Sequence, residues 1–247
     1  MPRPFPQLTV SFRTLVIWFV SVDLCFIVLN VIAGGLVEYR MLAEVPELLR
    51  ITQDWSLPED FNYLKWLIIL LSLFWIALRD RWLPAALWAL VFTMILLDDS
   101  LQVHENFGEW IALDLDLHPI FYLFGSDLGE IMVFLGMALI TLAMTAMLLT
   151  RFGPASCRMT TRYLAVLVAL GVFGVGVDAL HQILAHLTQD GVVTSGLEGK
   201  AFGLIEDGGE MLIASFATAM TLAPPAWLFP DRLCAWFFPD DSRDGRR

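Results

Sequence analysis

Carboxylates and histidines recur where the chain is otherwise greasy. Asp98 and Asp99 sit in ILLDDSLQ, His104 and Glu105 in VHENFGE, Glu130 in SDLGEIM, Asp178 and His181 in GVDALHQ, and Glu206 and Glu210 in LIEDGGEM. A charge near the middle of a bilayer costs about 2.5–3.5 kcal/mol on insertion scales, and mutual repulsion adds to that. No Lys or Arg lies within the apolar stretches that carry these residues. Their charge must therefore be removed by protons, hydrated, or neutralised by cations. A bound metal or a population of shared protons is the chemistry this pattern suggests.

The metal reading takes Asp98, Glu130, Asp178 and Glu210 as ligands, with His181 in reach and His104 and Glu105 at the rim. Carboxylates with imidazoles are the ligand inventory of dinuclear iron or manganese sites in four-helix bundles. Glu-x-x-His is absent, and Asp178-x-x-His181 comes nearest to it. Hard oxygen ligands with a few imidazoles favour iron or manganese, with zinc as the alternative metal ion. Glu206 and Asp99 are expected to orient the ligands and serve the reaction. The expected function is a metal-dependent oxidoreductase that oxidises, hydroxylates or desaturates a lipid-soluble small molecule entering from the outer half of the membrane. Its surroundings would be membrane lipids. No basic cluster points to nucleic acid.

Other classes are carried beside it. A single zinc held by His104, His181 and His186 would leave one position for an activated water. Ser100-x3-His104 resembles a spacing in the alkaline ceramidase and adiponectin-receptor superfamily of membrane hydrolases. That family also carries His-x3-His on the last of seven helices; here His181-x4-His186 is one residue longer and lies on an earlier span. Carboxylates in a membrane also mark proton or cation routes, although the inner halves of the last four spans carry no ionisable group. A haem between His104 and His186 is a further option. A scaffold whose polar network glues helices, with a membrane-protein partner, is the non-catalytic one.

Blander roles compete for the same residues. Asp127 with Glu130, and Asp207 with Glu210, fit capping boxes at helix starts. Gly129 and Gly209 suit close helix packing. Asp23 reads as a lone polar residue hydrogen-bonded to a neighbouring helix or backbone, and Ser100 as bonded within its own helix. Glu109, Asp114, Asp116 and His118 read as a solvated loop.

The elements that position these groups follow from composition. The chain has 247 residues, is 57% hydrophobic and carries a formal charge of −11. Its mean hydropathy of +0.68 points to a multi-pass membrane protein. Stretches of about 20 apolar residues predict six spans: Leu15–Leu36, Phe61–Leu78, Trp82–His104, Leu128–Leu149, Tyr163–Ala185 and Ala201–Leu222. The first contains Asp23 and is too long for a cleavable signal peptide, so it is expected to be retained. Basic residues fall on alternate loops, eleven against four, which places both termini in the cytoplasm of what reads as a bacterial inner membrane. Cys25, Cys157 and Cys234 form no CxxC and predict no disulfide framework.

The fold class expected is all-α, a polytopic membrane protein with six transmembrane helices. Asp98, Asp127, Gly129 and Glu130 match Asp178, Asp207, Gly209 and Glu210 at one offset of 80. The last four spans would then form a pseudo-two-fold bundle of two repeated hairpins. The organisation is residues 1–82 as an N-terminal hairpin with an outer loop, 83–223 as the bundle carrying the polar site, and 224–247 as a cytoplasmic interfacial tail. At about 1.5 Å per residue, Asp98 and Asp178 each lie about 24 Å from the inner ends of their spans, and Glu210 about 20 Å. On the same rise His104, Glu105 and His186 sit about 33–36 Å up, at a separate outer level.

Overall fold

A computed structural model describes residues 10–53, 55–120, 123–187 and 197–225 together with Cys234; within the helices, the side chains of Asp178, Gln182, Ala185, His186, Leu187 and residues 197–200 lie outside the described set. The described residues are mostly helical and contain no strand. The helices are α1 (Phe12–Glu38), α2 (Leu57–Asp80), α3 (Leu83–Leu101), α4 (Val103–Asp114), α5 (Gly125–Arg151), α6 (Gly153–Leu170), α7 (Asp178–Leu187) and α8 (Leu197–Leu222). A π-helical segment, Gly171–Val177, joins α6 to α7.

Local chemistry sets several of the ends. Ser11 caps α1 by accepting the Thr14 amide at 3.2 Å. Prolines open α2, α3 and α6, where the missing N–H has no helical partner to lose. Arg81 ends α2 in the left-handed region, with φ of 48°.

Five helical stretches are long and apolar enough to cross a membrane: Phe12–Glu38, Leu57–Asp80, Leu83–Leu101, Gly125–Arg151 and Gly153–His181. They turn large apolar side chains outward, among them Ile17, Leu78, Ile140 and Val168. That inverted surface suits lipid and is the mark of a multi-pass membrane protein. With 26 residues, α8 also has the length to span, but it carries Glu206, Asp207 and Glu210.

The core lies along α8. Ala214, Ala217 and Met220 pack with Trp66, Leu73, Trp88, Phe92, Leu148 and Tyr163. Small residues on α8 let α1, α2 and α6 approach it closely. Packing runs across residue 82: α8 rests on α1 and α2, and α2 rests on α3.

The expected third span, Trp82–His104, is shorter than its sequence suggests. Gln102 adopts φ of 50° and ψ of 46°, which ends α3 at Leu101 and starts α4 in a new direction. The Asp98 carboxylate accepts the His104 amide at 2.8 Å and so caps that new start. Asp98 and Glu105 therefore lie on different helices, and Glu109 and Asp114, read as loop, lie on α4. The cysteine expectation is also corrected. Cys157 at the start of α6 and Cys234 are joined as a disulfide, with Cα atoms 5.8 Å apart. Seventy-seven residues separate them in sequence, so only the return of the chain past α8 brings them together.

Candidate functional site

The polar centre starts with a basic residue that the sequence analysis did not single out. Lys65 lies two turns inside α2, and its side chain is fully buried. Its ammonium donates to Asp23 Oδ1 at 3.0 Å, to the Met211 carbonyl at 2.8 Å and to Ser215 Oγ at 3.3 Å. Ser215 Oγ in turn donates to Asp23 Oδ2. The Phe61 ring lies 5.0 Å from the ammonium. Asp23 is therefore not lone: one ion pair ties α1, α2 and α8 together, with every ammonium proton directed at an acceptor. The available signal was a lysine and an aspartate on two adjacent apolar stretches that otherwise lack charge.

Asp99 is held by the same helix. Its Oδ2 accepts the Trp66 indole N–H at 3.1 Å, and its carbonyl accepts the Tyr63 hydroxyl at 3.2 Å. Lys65 acts on Asp99 electrostatically as well as on Asp23. Across from it stands Glu210 on α8. The carboxylates whose charge bears on Glu210 are, strongest first, Asp99, Asp207, Glu206 and Asp98. Its Oε1 lies against Gly174 in the π-helical segment, in space that a side chain there would fill. Segments of this kind are frequent at functional sites.

A second group gathers around His104. Its Nδ1 stands 3.2 Å from Asp98 Oδ2, an ion-pair contact whose angle falls short of a hydrogen bond. Glu105 Oε1 lies 3.9 Å from Nε2, and the Phe134 ring packs 4.7 Å from the imidazole. Burial lowers the pKa of His104, but its contact with Asp98 and the charges of Asp98, Glu105 and Glu130 outweigh burial, and the net shift is upward. Glu130 is brought in by helix packing. A Cβ on Gly108 would fall 2.6 Å from Glu130 Cγ, and one on Gly129 would strike the Gly108 carbonyl. Close approach of α4 and α5 is thus the role of these glycines.

Asp98 belongs to both groups, so the structure brings Asp98, Asp99, His104, Glu105, Glu130, Glu206, Asp207 and Glu210 into one electrostatic neighbourhood. The two levels inferred from helical rise merge because α4 folds back onto Asp98. His181 stands apart on α7. Its ring stacks on Phe202 at 5.1 Å, one turn before Glu206, and its buried Nε2 has no hydrogen-bond partner among the described residues. The side chains of Asp178 and His186 lie outside the described residues. Among the described residues, no group of three or more His, Cys, Asp or Glu side chains is close enough to hold a metal ion.

The capping-box expectation is corrected at both places. Asp127 sits three residues into α5, where its Oδ2 accepts the Phe124 amide at 2.8 Å, and Glu130 takes no part in the cap. Asp207 and Glu210 lie well inside α8 rather than at its start. Residues matched by the offset of 80 consequently occupy different places: Gly129 meets the Gly108 backbone, whereas Gly209 meets the Phe173 ring. Ser100 does bond its own helix, donating to the Leu96 carbonyl at 2.6 Å.

Apolar helices facing outward around a buried set of charges define a multi-pass membrane protein with an ionisable centre. Residues 24–223 match the family described as Domain of unknown function (DUF8692), and the chain belongs to that family. No curated protein and no solved structure matches it.

Proposed function

We propose that the protein handles cations inside the membrane and that the cation it exchanges is the proton. The observation that carries this reading is the setting of Glu210, half-buried on α8 with its Oε1 against Gly174 and amid the charges of Asp99, Asp207, Glu206 and Asp98. Like charges so placed disfavour full ionisation, so the group holds protons in common. The Asp23–Lys65 pair positions α8 against α1 and α2, and the charge of Lys65 also bears on Asp99. Beyond it α8 presents Ser215, Thr218 and Thr221, and Thr221 Oγ1 meets the Tyr163 hydroxyl at 3.0 Å. These hydroxyls supply polar groups in the half of the membrane where the sequence shows no carboxylate. The same proposal includes six spans with a diverged pseudo-two-fold pair of hairpins, and both termini on the cytoplasmic side.

Proteoliposomes containing a pH-sensitive dye, with a potassium diffusion potential imposed, test it. The expected result is proton uptake by the native chain, lost in Glu210→Gln and Asp99→Asn. Uptake no faster than in empty liposomes, at both polarities, would overturn it.

The metal-dependent oxidoreductase remains a second reading, supported by the convergence of Asp98, His104, Glu105 and Glu130 and by the Nε2 of His181, which has no hydrogen-bond partner among the described residues. A ligand set of three or more would have to draw on side chains outside the described residues, such as Asp178 or His186. Elemental mass spectrometry of protein purified without chelator checks it. Two iron or manganese ions per chain, reduced in Glu210→Ala and His181→Ala, are expected on that reading; one zinc would indicate the hydrolase, and unchanged stoichiometry in both variants would remove it.

A further inference from the structure

Away from the carboxylates, an apolar cavity of about 580 Å³ runs between α1, α6, the π-helical segment and α8. Pockets that enclose most of a small ligand fall in the range of about 300–1,000 Å³. Arg162, Val166, Ala169 and Phe173 line one wall at helical spacing, and Gly208 and Phe216 are among the residues of the other. From Arg162 to Phe173 the wall extends about 16 Å, taking about 1.5 Å per residue. The cavity is therefore longer than it is wide, and apolar along its length. Among the side chains lining it, Arg162 alone is charged. Its Nη2 donates to the Pro225 carbonyl at 3.3 Å, which anchors the guanidinium beside the end of α8.

An elongated apolar slot with a guanidinium at one end has the polarity of an anionic amphiphile. Arginine is the side chain whose planar fork matches a phosphate. Clefts between helices where a basic residue meets the headgroup region recur as sites for acidic lipids. On the α8 side a Cβ on Gly208 would reach Ile27 Cδ1 at 3.4 Å and one on Gly209 would strike the Phe173 ring, so these two glycines let α8 close against both walls of the slot. We infer that this cavity binds one acyl chain of an anionic phospholipid, with the phosphate at Arg162. The lipid enters from the leaflet on the Arg162 side. This site stands independently of what the carboxylates bind, since none of them lines it.

Native mass spectrometry of the full chain in detergent, titrated with dioleoyl phosphatidylglycerol or dioleoyl phosphatidylcholine, tests the inference. Phosphatidylglycerol is expected to bind about tenfold more tightly, a difference of about 1.4 kcal/mol. Arg162→Gln should bring the two lipids to equal affinity, and Arg162→Lys should retain part of the preference. Ala169→Phe, which fills the slot, should lose both lipids while Arg162 remains. Thermal unfolding in detergent identifies any variant that has not folded, and the charge-retaining lysine variant then carries the comparison. Equal affinity of the native chain for the two lipids would overturn the assignment. So would a preference for phosphatidylglycerol that survives Arg162→Gln, or unaltered binding in Ala169→Phe.

Discussion

Lys65 and Asp23 face each other at 3.0 Å with both side chains wholly withdrawn from the surface. Forty-two residues separate them, and each sits in an apolar helix that would cross a membrane. The pair explains how α8, which bears Glu206, Asp207 and Glu210, is held inside the bundle: Met211 and Ser215 of α8 complete the coordination of the ammonium.

Removing one partner of this pair should cost far more than removing both. Lys65→Met leaves Asp23 buried without its cation and is expected to destabilise the fold by about 3–5 kcal/mol. The double variant Lys65→Met with Asp23→Leu should recover most of that loss. Unfolding in mixed micelles with increasing sodium dodecyl sulfate measures both; equal losses in the single and double variants would contradict the pairing.

The histidine near Asp98 should make stability depend on pH in a definite direction. Its folded pKa is raised above the ordinary value of 6.5. Its contribution is then complete below about pH 6.5 and is lost as pH rises through the higher folded value. A thermal unfolding series across that window should show a decline that Asp98→Asn or His104→Gln flattens. A native profile identical to that of His104→Gln would show that the contact contributes nothing.

Two glycines of α5 should respond oppositely to the same change. A methyl on Gly129 meets the Gly108 carbonyl, a backbone group that cannot swing aside, whereas one on Gly136 meets nothing within 4 Å. Gly129→Ala is expected to cost about 1–3 kcal/mol by forcing α4 from α5. Gly136→Ala should be neutral, or stabilising by up to about 1 kcal/mol through helix propensity. Melting temperatures of the two variants in one detergent give the comparison.

Cys157 and Cys234 lie within disulfide reach of each other, while Cys25 is exposed and unbridged. Non-reducing peptide mapping should recover the 157–234 link directly, or after mild oxidation of protein from a reducing compartment. Closing a loop of this length is expected to be worth about 2–4 kcal/mol. Cross-links through Cys25 in place of the 157–234 pair would refute the proximity.

Hydropathy by itself determined the class of this protein and the approximate places of its helices, because apolar length is a local property of the chain. It also singled out Asp98, Asp99, His104, Glu105, Glu130, Glu206 and Glu210, since ionisable residues stand out in apolar runs whatever the fold. Three things needed the tertiary structure. The turn at Gln102 depends on a carboxylate four residues earlier reaching the His104 amide, and no periodicity reveals it. The partnership of Asp23 with Lys65 arises from the packing of α1, α2 and α8, so each residue looks solitary along the chain. The cavity beside Arg162 exists only where three helices fail to touch. Local patterns record how much each segment prefers a membrane; which buried charge meets which is set by helix packing, and that depends on every span at once.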